Sequence, residues 1–192
     1  MKPRQGELFG RVPLEYGGGK SKGKRKTVRP FDPKHAIHAT FRASKAKGAW
    51  SMLNRRHKGY VYGEADRIAR ESHVKLHRFV NVGNHVHVVL KARSRRDFQR
   101  FLRVFGGRIA MLVTGARKGK PIGKKVGAAK AGPLLLETRE RFWDFSVYTK
   151  IVSFGRQWSL LSKYMEKNLW EAEGPGVILR MPEFDIYSEA PA

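Results

Sequence analysis

Two histidines stand two residues apart, His85 and His87, with Val86 between them and Val88, Val89 and Leu90 after them. A run so rich in valine reads as a β-strand. Strand side chains alternate, so both imidazoles leave one face while Val86, Val88 and Leu90 enter the other. Same-face neighbours at i and i+2 lie about 6–7 Å apart along the backbone. Two imidazoles so placed can converge on one ion, at about 2.0–2.2 Å from each nitrogen for a typical divalent metal. Neutral imidazole is a common metal ligand, and a metal beside a phosphate polarises its P–O bonds and offsets developing charge. The same pattern also fits two strand histidines with ordinary hydrogen bonds.

A second candidate group lies near the C-terminus. Between Ser153 and Trp170, the residues Phe154, Trp158, Leu161, Met165 and Leu169 recur at helical spacing and mark a buried stripe. Tyr164 falls on the flank of that stripe, and Asn168, one turn later, projects from the same flank. A tyrosine hydroxyl at such a place is a candidate nucleophile for a phosphodiester. A phenol ionises near pH 10, so it needs a polarised phosphate or a nearby base to act at neutral pH. The amide oxygen of Asn168 is a hard donor that suits a third position on the same ion. A helix tyrosine beside a core stripe is equally compatible with packing.

The elements that must hold these groups read as mixed α/β. Residues His35 to Arg42, Val74 to Val82 and His85 to Ala92 have strand composition, and Gly83-Asn84 forms a two-residue hairpin turn between the last two. Gly63 to Ser72 reads as a short helix. Arg95 to Val113 reads as a longer one, with Phe98, Phe101, Leu102, Phe105, Ile109 and Leu112 at three- and four-residue steps. Arg139 to Ile151 reads as a further strand, and Ser153 as the cap of the last helix. The order β-α-β-β-α-β-α contains the ferredoxin-like, split βαβ arrangement, an α+β fold with one antiparallel sheet and its helices packed on one face.

Around this domain, residues 35–170, the composition shifts. The chain has 192 residues with 40 Lys and Arg against 16 Asp and Glu, a net charge of +24. Such self-repulsion points to a polyanionic partner. Residues 1–34 carry ten Lys/Arg against three acids, including Lys20, Lys22, Lys24, Arg25 and Lys26, and read as a flexible basic arm. Residues 115–132 read as a basic loop, with Arg117, Lys118, Lys120, Lys124, Lys125 and Lys130 and no acid. Residues 171–192 reverse the sign, with Glu171, Glu173, Glu183, Asp185 and Glu189 against Arg180 alone. The basic clusters suit phosphate contacts that carry affinity without base information. Arg141 adds another cation, and Trp143 reads either as a stacking platform for an unpaired base or as core. The absence of cysteine excludes disulfides, thiolate metal sites and cysteine nucleophiles. No apolar run approaches a membrane span and no signal-peptide core opens the chain, so a soluble intracellular protein is expected.

The segment Gly83-Asn84-His85-Val86-His87-Val88-Val89-Leu90 resembles the HUH motif, histidine–hydrophobic–histidine, of single-strand DNA nucleases. Arg141-Phe142-Trp143-Asp144 resembles the Arg-Phe-Trp-acid stretch of REP-associated tyrosine transposases and their insertion-sequence relatives. Tyr164-Met165-Glu166-Lys167-Asn168 matches their Tyr-x-x-x-Asn, in the same order along the chain. The resemblance covers about Ala36 to Trp170. It implies an HUH domain that cuts single-stranded or hairpin DNA with Tyr164 as nucleophile and His85, His87 and Asn168 as metal ligands. The products are a 5′-phosphotyrosine link and a free 3′-hydroxyl. An imidazole and oxygen donor set of this kind accepts Mg²⁺ or Mn²⁺. It also implies a bacterial, nucleoid-associated protein of the cytoplasm, monomeric or homodimeric. Relatives usually carry Asp where Asn84 stands and Pro where Leu169 stands, and the basic loop has no counterpart in them. A nickase for rolling-circle replication or conjugation would use the same residues. A non-catalytic nucleic-acid-binding protein would need only the charge.

Overall fold

The computed structural model describes residues 14–24, 27–116 and 141–174. Its strands are β1 (Glu15–Tyr16), β2 (Ala36–Arg42), β3 (Val74–Asn81), β4 (His85–Ala92) and β5 (Tyr148–Val152), and its helices are α1 (Lys58–Glu71), α2 (Arg95–Thr114) and α3 (Arg156–Glu173). The strands form one antiparallel sheet in the order β1-β5-β2-β4-β3. The run β2-α1-β3-β4-α2-β5 is compatible with the ferredoxin-like arrangement, to which β1 adds an edge strand and α3 a third helix.

Alternation along the strands divides the sheet into two faces. Ile37, Ala39 and Phe41 of β2 and Val86, Val88 and Leu90 of β4 meet the apolar sides of α1 and α2. From α2, Phe98, Phe101, Phe105 and Ile109 are fully buried there, each contributing about 1.5–3 kcal/mol by leaving water. Ser94 starts α2 by accepting the Asp97 N–H, while its hydroxyl donates to the Asp97 carboxylate. Gly106 lets two aromatic rings approach the helix, because a Cβ there would meet Phe41 at 3.4 Å and Trp143 at 3.5 Å. Helix α1 begins at Lys58, well before Gly63. Val61, Ala65, Ile68 and Ala69 form one buried stripe that carries the helix through exposed Gly59 and Gly63.

The expectation that the helices pack on one face holds for α1 and α2 and fails for α3. Met165 and Leu169 of α3 are buried against Ala36, Val80 and Val89, which belong to the opposite face. The reason is parity: Val89 alternates with Val88 and Leu90, so its side chain needs its own cover. Helix α3 also starts later and ends later than its spacing suggests. Gly155 precedes its first turn, Ser153 donates its N–H to Gln157 Oε1 at 3.1 Å and caps nothing, and Phe154 is exposed. The helix runs on to Glu173, so Glu171 and Glu173 are helical, within ion-pair reach of Lys167 and Lys58 respectively.

Two further expectations change. Part of the basic arm is built into the sheet. Glu15 and Tyr16 pair with Lys150 and Thr149, and Arg29 donates to the Val147 carbonyl at 2.7 Å and to Thr149 Oγ1 at 2.8 Å while lying over the Tyr16 ring. The last strand is confined to Tyr148–Val152, because residues 141–147 bend across the end of β2. There the Asp144 N–H donates to the Arg42 carbonyl, and its carboxylate accepts from the Ser44 N–H and hydroxyl. No helix among the described residues is long and apolar enough to cross a membrane.

Candidate active site

The turn that carries the histidine pair is bolted down on several sides. Gly83 sits at the first central position with φ +90°, the conformation a type II′ hairpin demands, and a Cβ there would strike Ser51 Oγ at 2.9 Å. The buried Asn81 side chain donates to the Met52 carbonyl and accepts the Gly83 N–H. The Gly83 and Asn84 carbonyls accept from Met52 and Ala43. These bonds set where β4 begins and hence which face His85 and His87 take.

Both imidazoles leave the face that α3 covers. Their ring centroids are 4.8 Å apart with the planes nearly perpendicular. His85 Nδ1 lies 2.6 Å from Asn84 Oδ1. A carbonyl oxygen only accepts, so Nδ1 carries the proton and Nε2 keeps its lone pair. His87 is buried, and its Nε2 has no hydrogen-bond partner among the described residues. Tyr164 stands edge-on to His87, with centroids 5.4 Å apart and planes at 85°. About half of the tyrosine is exposed, at 48%, so a substrate can reach it. Asn168, one turn on, donates its Nδ2 to the Tyr164 carbonyl at 2.8 Å, which leaves Oδ1 as its donor atom for an ion.

The structure adds residues that the motif does not contain. The register β2–β4 sets Thr40 opposite His87 and Arg42 opposite His85, and His38 shares their face. His38 stacks on His87 with centroids 5.3 Å apart, and its Nε2 is 3.1 Å from His87 Nδ1. Thr40 Oγ1 lies 3.2 Å from the same Nδ1. The signal for these residues was the alternation His38-Ala39-Thr40-Phe41-Arg42, which marks a two-sided strand but does not say what its polar side meets.

Burial dominates the electrostatics. It pushes His87 down to about 3, aided by His38 and His85, and His38 down to about 4, aided by the Lys150 ammonium. Burial and then the Arg42 guanidinium lower His85 as well. All three rings are therefore neutral at physiological pH, the form in which imidazole ligates a metal. Among the described residues no three His, Cys, Asp or Glu side chains gather around one point. An ion here would rest on His85 and His87 and fill its shell from water or substrate oxygen, whereas the Asn168 side chain bonds within its own helix, to the Tyr164 carbonyl. The buried, unpartnered Nε2 of His87, on a ring 4.8 Å from that of His85, fits that role, and hard oxygen partners fit Mg²⁺ or Mn²⁺.

A cleft of about 680 Å³ lies between α3 and the sheet, reaching His87 and Tyr164 but not lined by His85 or Asn168. Its walls include His38, His87 and Tyr164 together with Lys20, Phe145 and Leu160. Lys150 and Arg42 also line it. Glu15 binds two of its cations, accepting from Lys20 at 2.7 Å and Lys150 at 3.0 Å, and these lysines hold its carboxyl down to about 2. Of the other residues expected at DNA, Lys22 and Lys24 are exposed just past a short 3₁₀ turn at Gly19–Ser21, and Arg141 is exposed. Trp143 does not face the histidines. Its Nε1 donates to the Gly106 carbonyl at 2.8 Å and its ring packs on Phe41 and Phe142, on the α2 side of the sheet. It is core packing, because bending residues 141–147 over the end of β2 turns the indole toward α2. Arg25, Lys26, Arg117, Lys118, Lys120, Lys124 and Lys125 lie outside the described residues. A scan against protein-family models finds no match for this chain, and a search of curated proteins finds none either.

Proposed function

We propose that the chain is a metal-dependent, single-tyrosine HUH endonuclease of the transposase type, acting on single-stranded or hairpin DNA. The observation that carries this reading is the half-exposed Tyr164 ring standing on His87, whose buried Nε2 has no protein partner among the described residues. A packing tyrosine would be covered, and a structural histidine would have its nitrogens satisfied.

Tyr164 Oη attacks the phosphorus of a phosphodiester, forming the O–P bond as the P–O3′ bond breaks. The phenolic proton leaves through solvent, and the departing 3′ oxygen gains one, so the exchange balances without a redox partner. A bound divalent ion supplies polarisation of the phosphate and stabilises charge on its oxygens. The chain's own part is orientation. Helix α3 fixes the tyrosine over the histidines through Met165 and Leu169, and the cleft beside it excludes part of the solvent while Lys20, Arg42 and Lys150 line a path for phosphates. The 5′-phosphotyrosine product retains the energy of the broken ester, so a 3′-hydroxyl can attack it and rejoin strands. The test is incubation of the full chain with a single-stranded hairpin oligonucleotide and Mg²⁺, followed by denaturing electrophoresis for a covalent protein–DNA species. Wild type forms it and Tyr164→Phe does not, with single-strand binding retained. An adduct of equal yield from the Phe variant removes Tyr164 as nucleophile.

A further inference from the structure

His38 lies outside the histidine pair and outside every motif in the chain, yet it is buried at the centre of the site face. Its Nε2 points at His87 Nδ1 across 3.1 Å, with the two rings nearly parallel at 21°. Between two neutral imidazoles one nitrogen must donate and the other accept. Either way His87 Nε2 is buried with no partner among the described residues, as an orphaned N–H if His38 donates and as a bare lone pair if His38 accepts, and only the bare lone pair can be satisfied by a cation. If His38 accepts, His87 carries its proton on Nδ1 and presents a bare Nε2. The second arrangement matches His85, whose Nδ1–H is held by Asn84 Oδ1. Each member of the pair then has its δ nitrogen tied to an acceptor and its ε nitrogen open.

We propose that His38 is a positioning residue whose Nε2 accepts the Nδ1–H of His87 and so fixes His87 in the tautomer with Nε2 open to a divalent cation. This assignment rests on the divalent cation of the reading above, while the tautomer itself is measured without metal or DNA. Thr40 cannot do the same alone. Its hydroxyl, 3.2 Å from His87 Nδ1 and 3.4 Å from His38 Nε2, both donates and accepts, so it is compatible with either tautomer. The single lone pair of His38 Nε2 goes to the nearer partner, His87 Nδ1 at 3.1 Å, ahead of Thr40 Oγ1 at 3.4 Å. The arrangement depends on strand register. His38 lies one same-face step along β2 from Thr40, which is the residue paired with His87.

The experiment reads ¹⁵N imidazole shifts of the metal-free, DNA-free chain, where the protonated and bare ring nitrogens are distinguished directly. Wild type and Thr40→Val are expected to show His87 protonated on Nδ1. His38→Phe keeps a flat ring in the stack and removes the acceptor, and His87 should then become a mixture of tautomers. Mn²⁺ titration followed by electron paramagnetic resonance should show affinity about tenfold weaker in His38→Phe, with partial recovery in His38→Gln, which restores an acceptor. A wild-type His87 protonated on Nε2, or a His38→Phe variant with unchanged His87 shifts, overturns the proposal. These shifts are read without DNA, so they decide the tautomer even for a chain that does not cleave DNA. If His38→Phe fails to fold, the wild-type spectrum alone decides the direction of the bond.

Discussion

Tyr164 and His87 meet edge to face on the side of the sheet away from α1 and α2, 5.4 Å between ring centroids. The contact joins the last helix to β4, an interior strand of the sheet. On the proposed reading, an ion held by the histidine pair would polarise a phosphate bound beside this phenol.

His85→Ala or His87→Ala should abolish adduct formation, as should a chelator in excess over metal. Addition of Mg²⁺ or Mn²⁺ to the chelated wild type should restore it, whereas neither ion should rescue the alanine variants. The readout is covalent adduct per mole of protein with binding measured in parallel. Full cleavage under excess chelator contradicts the assignment of an ion to this pair.

Stability should fall with acid in a window set by the two most buried rings. His87 and His38 are held down to about 3 and about 4, below the imidazole value of 6.5. The unfolded chain therefore takes up protons near pH 6.5 that the folded chain refuses. The stability due to the neutral pair is complete above that pH and is lost as pH falls through it toward 4 and then 3, on the order of a few kcal/mol in all. Urea denaturation of the metal-free chain at steps from about pH 7.5 to about pH 4.5 tests this, and the decline should be shallower in His38→Phe. A midpoint that stays constant across the window rules it out.

Glu15→Gln should strengthen single-strand binding. Its carboxylate neutralises Lys20 and Lys150, which line the cleft, so removing that charge frees two cations for phosphate. Exposed pairs are worth roughly 0.2–1 kcal/mol, which sets an affinity gain of a few-fold at low salt and a steeper log–log salt dependence. Fluorescence anisotropy with a labelled oligonucleotide measures both. Weaker binding by the Gln variant means that Glu15 acts on the fold of β1 and not on the charge of the cleft.

Tyr164 reaches the histidine of its own chain, so the site should be complete in one protomer. Mixing Tyr164→Phe with the His85→Ala, His87→Ala double variant should leave cleavage absent, because neither chain holds all the groups. Recovery of the adduct in the mixture shows instead a tyrosine that works across a dimer.

The sequence by itself determined the elements whose cause is local. The valine run at 85–92 is a strand because β-branched side chains suit a pleated surface, and its alternation alone put His85 and His87 on one face. The span of α2 followed from its period, and the Gly83-Asn84 turn from the one residue type at ease at φ +90°. Tyr164 and Asn168 share a flank for the same reason of period. Only the tertiary structure decided what each face meets. The side of the sheet on which α3 lies, the choice of His38 as the partner of His87, the burial of Trp143 against α2, and the conversion of Glu15–Tyr16 into a strand all come from contacts between segments far apart in the chain. A local pattern states that a side chain has a preferred face. The free energy that selects its neighbour comes from burial and strand register summed over the whole fold, and no short stretch of residues encodes that sum.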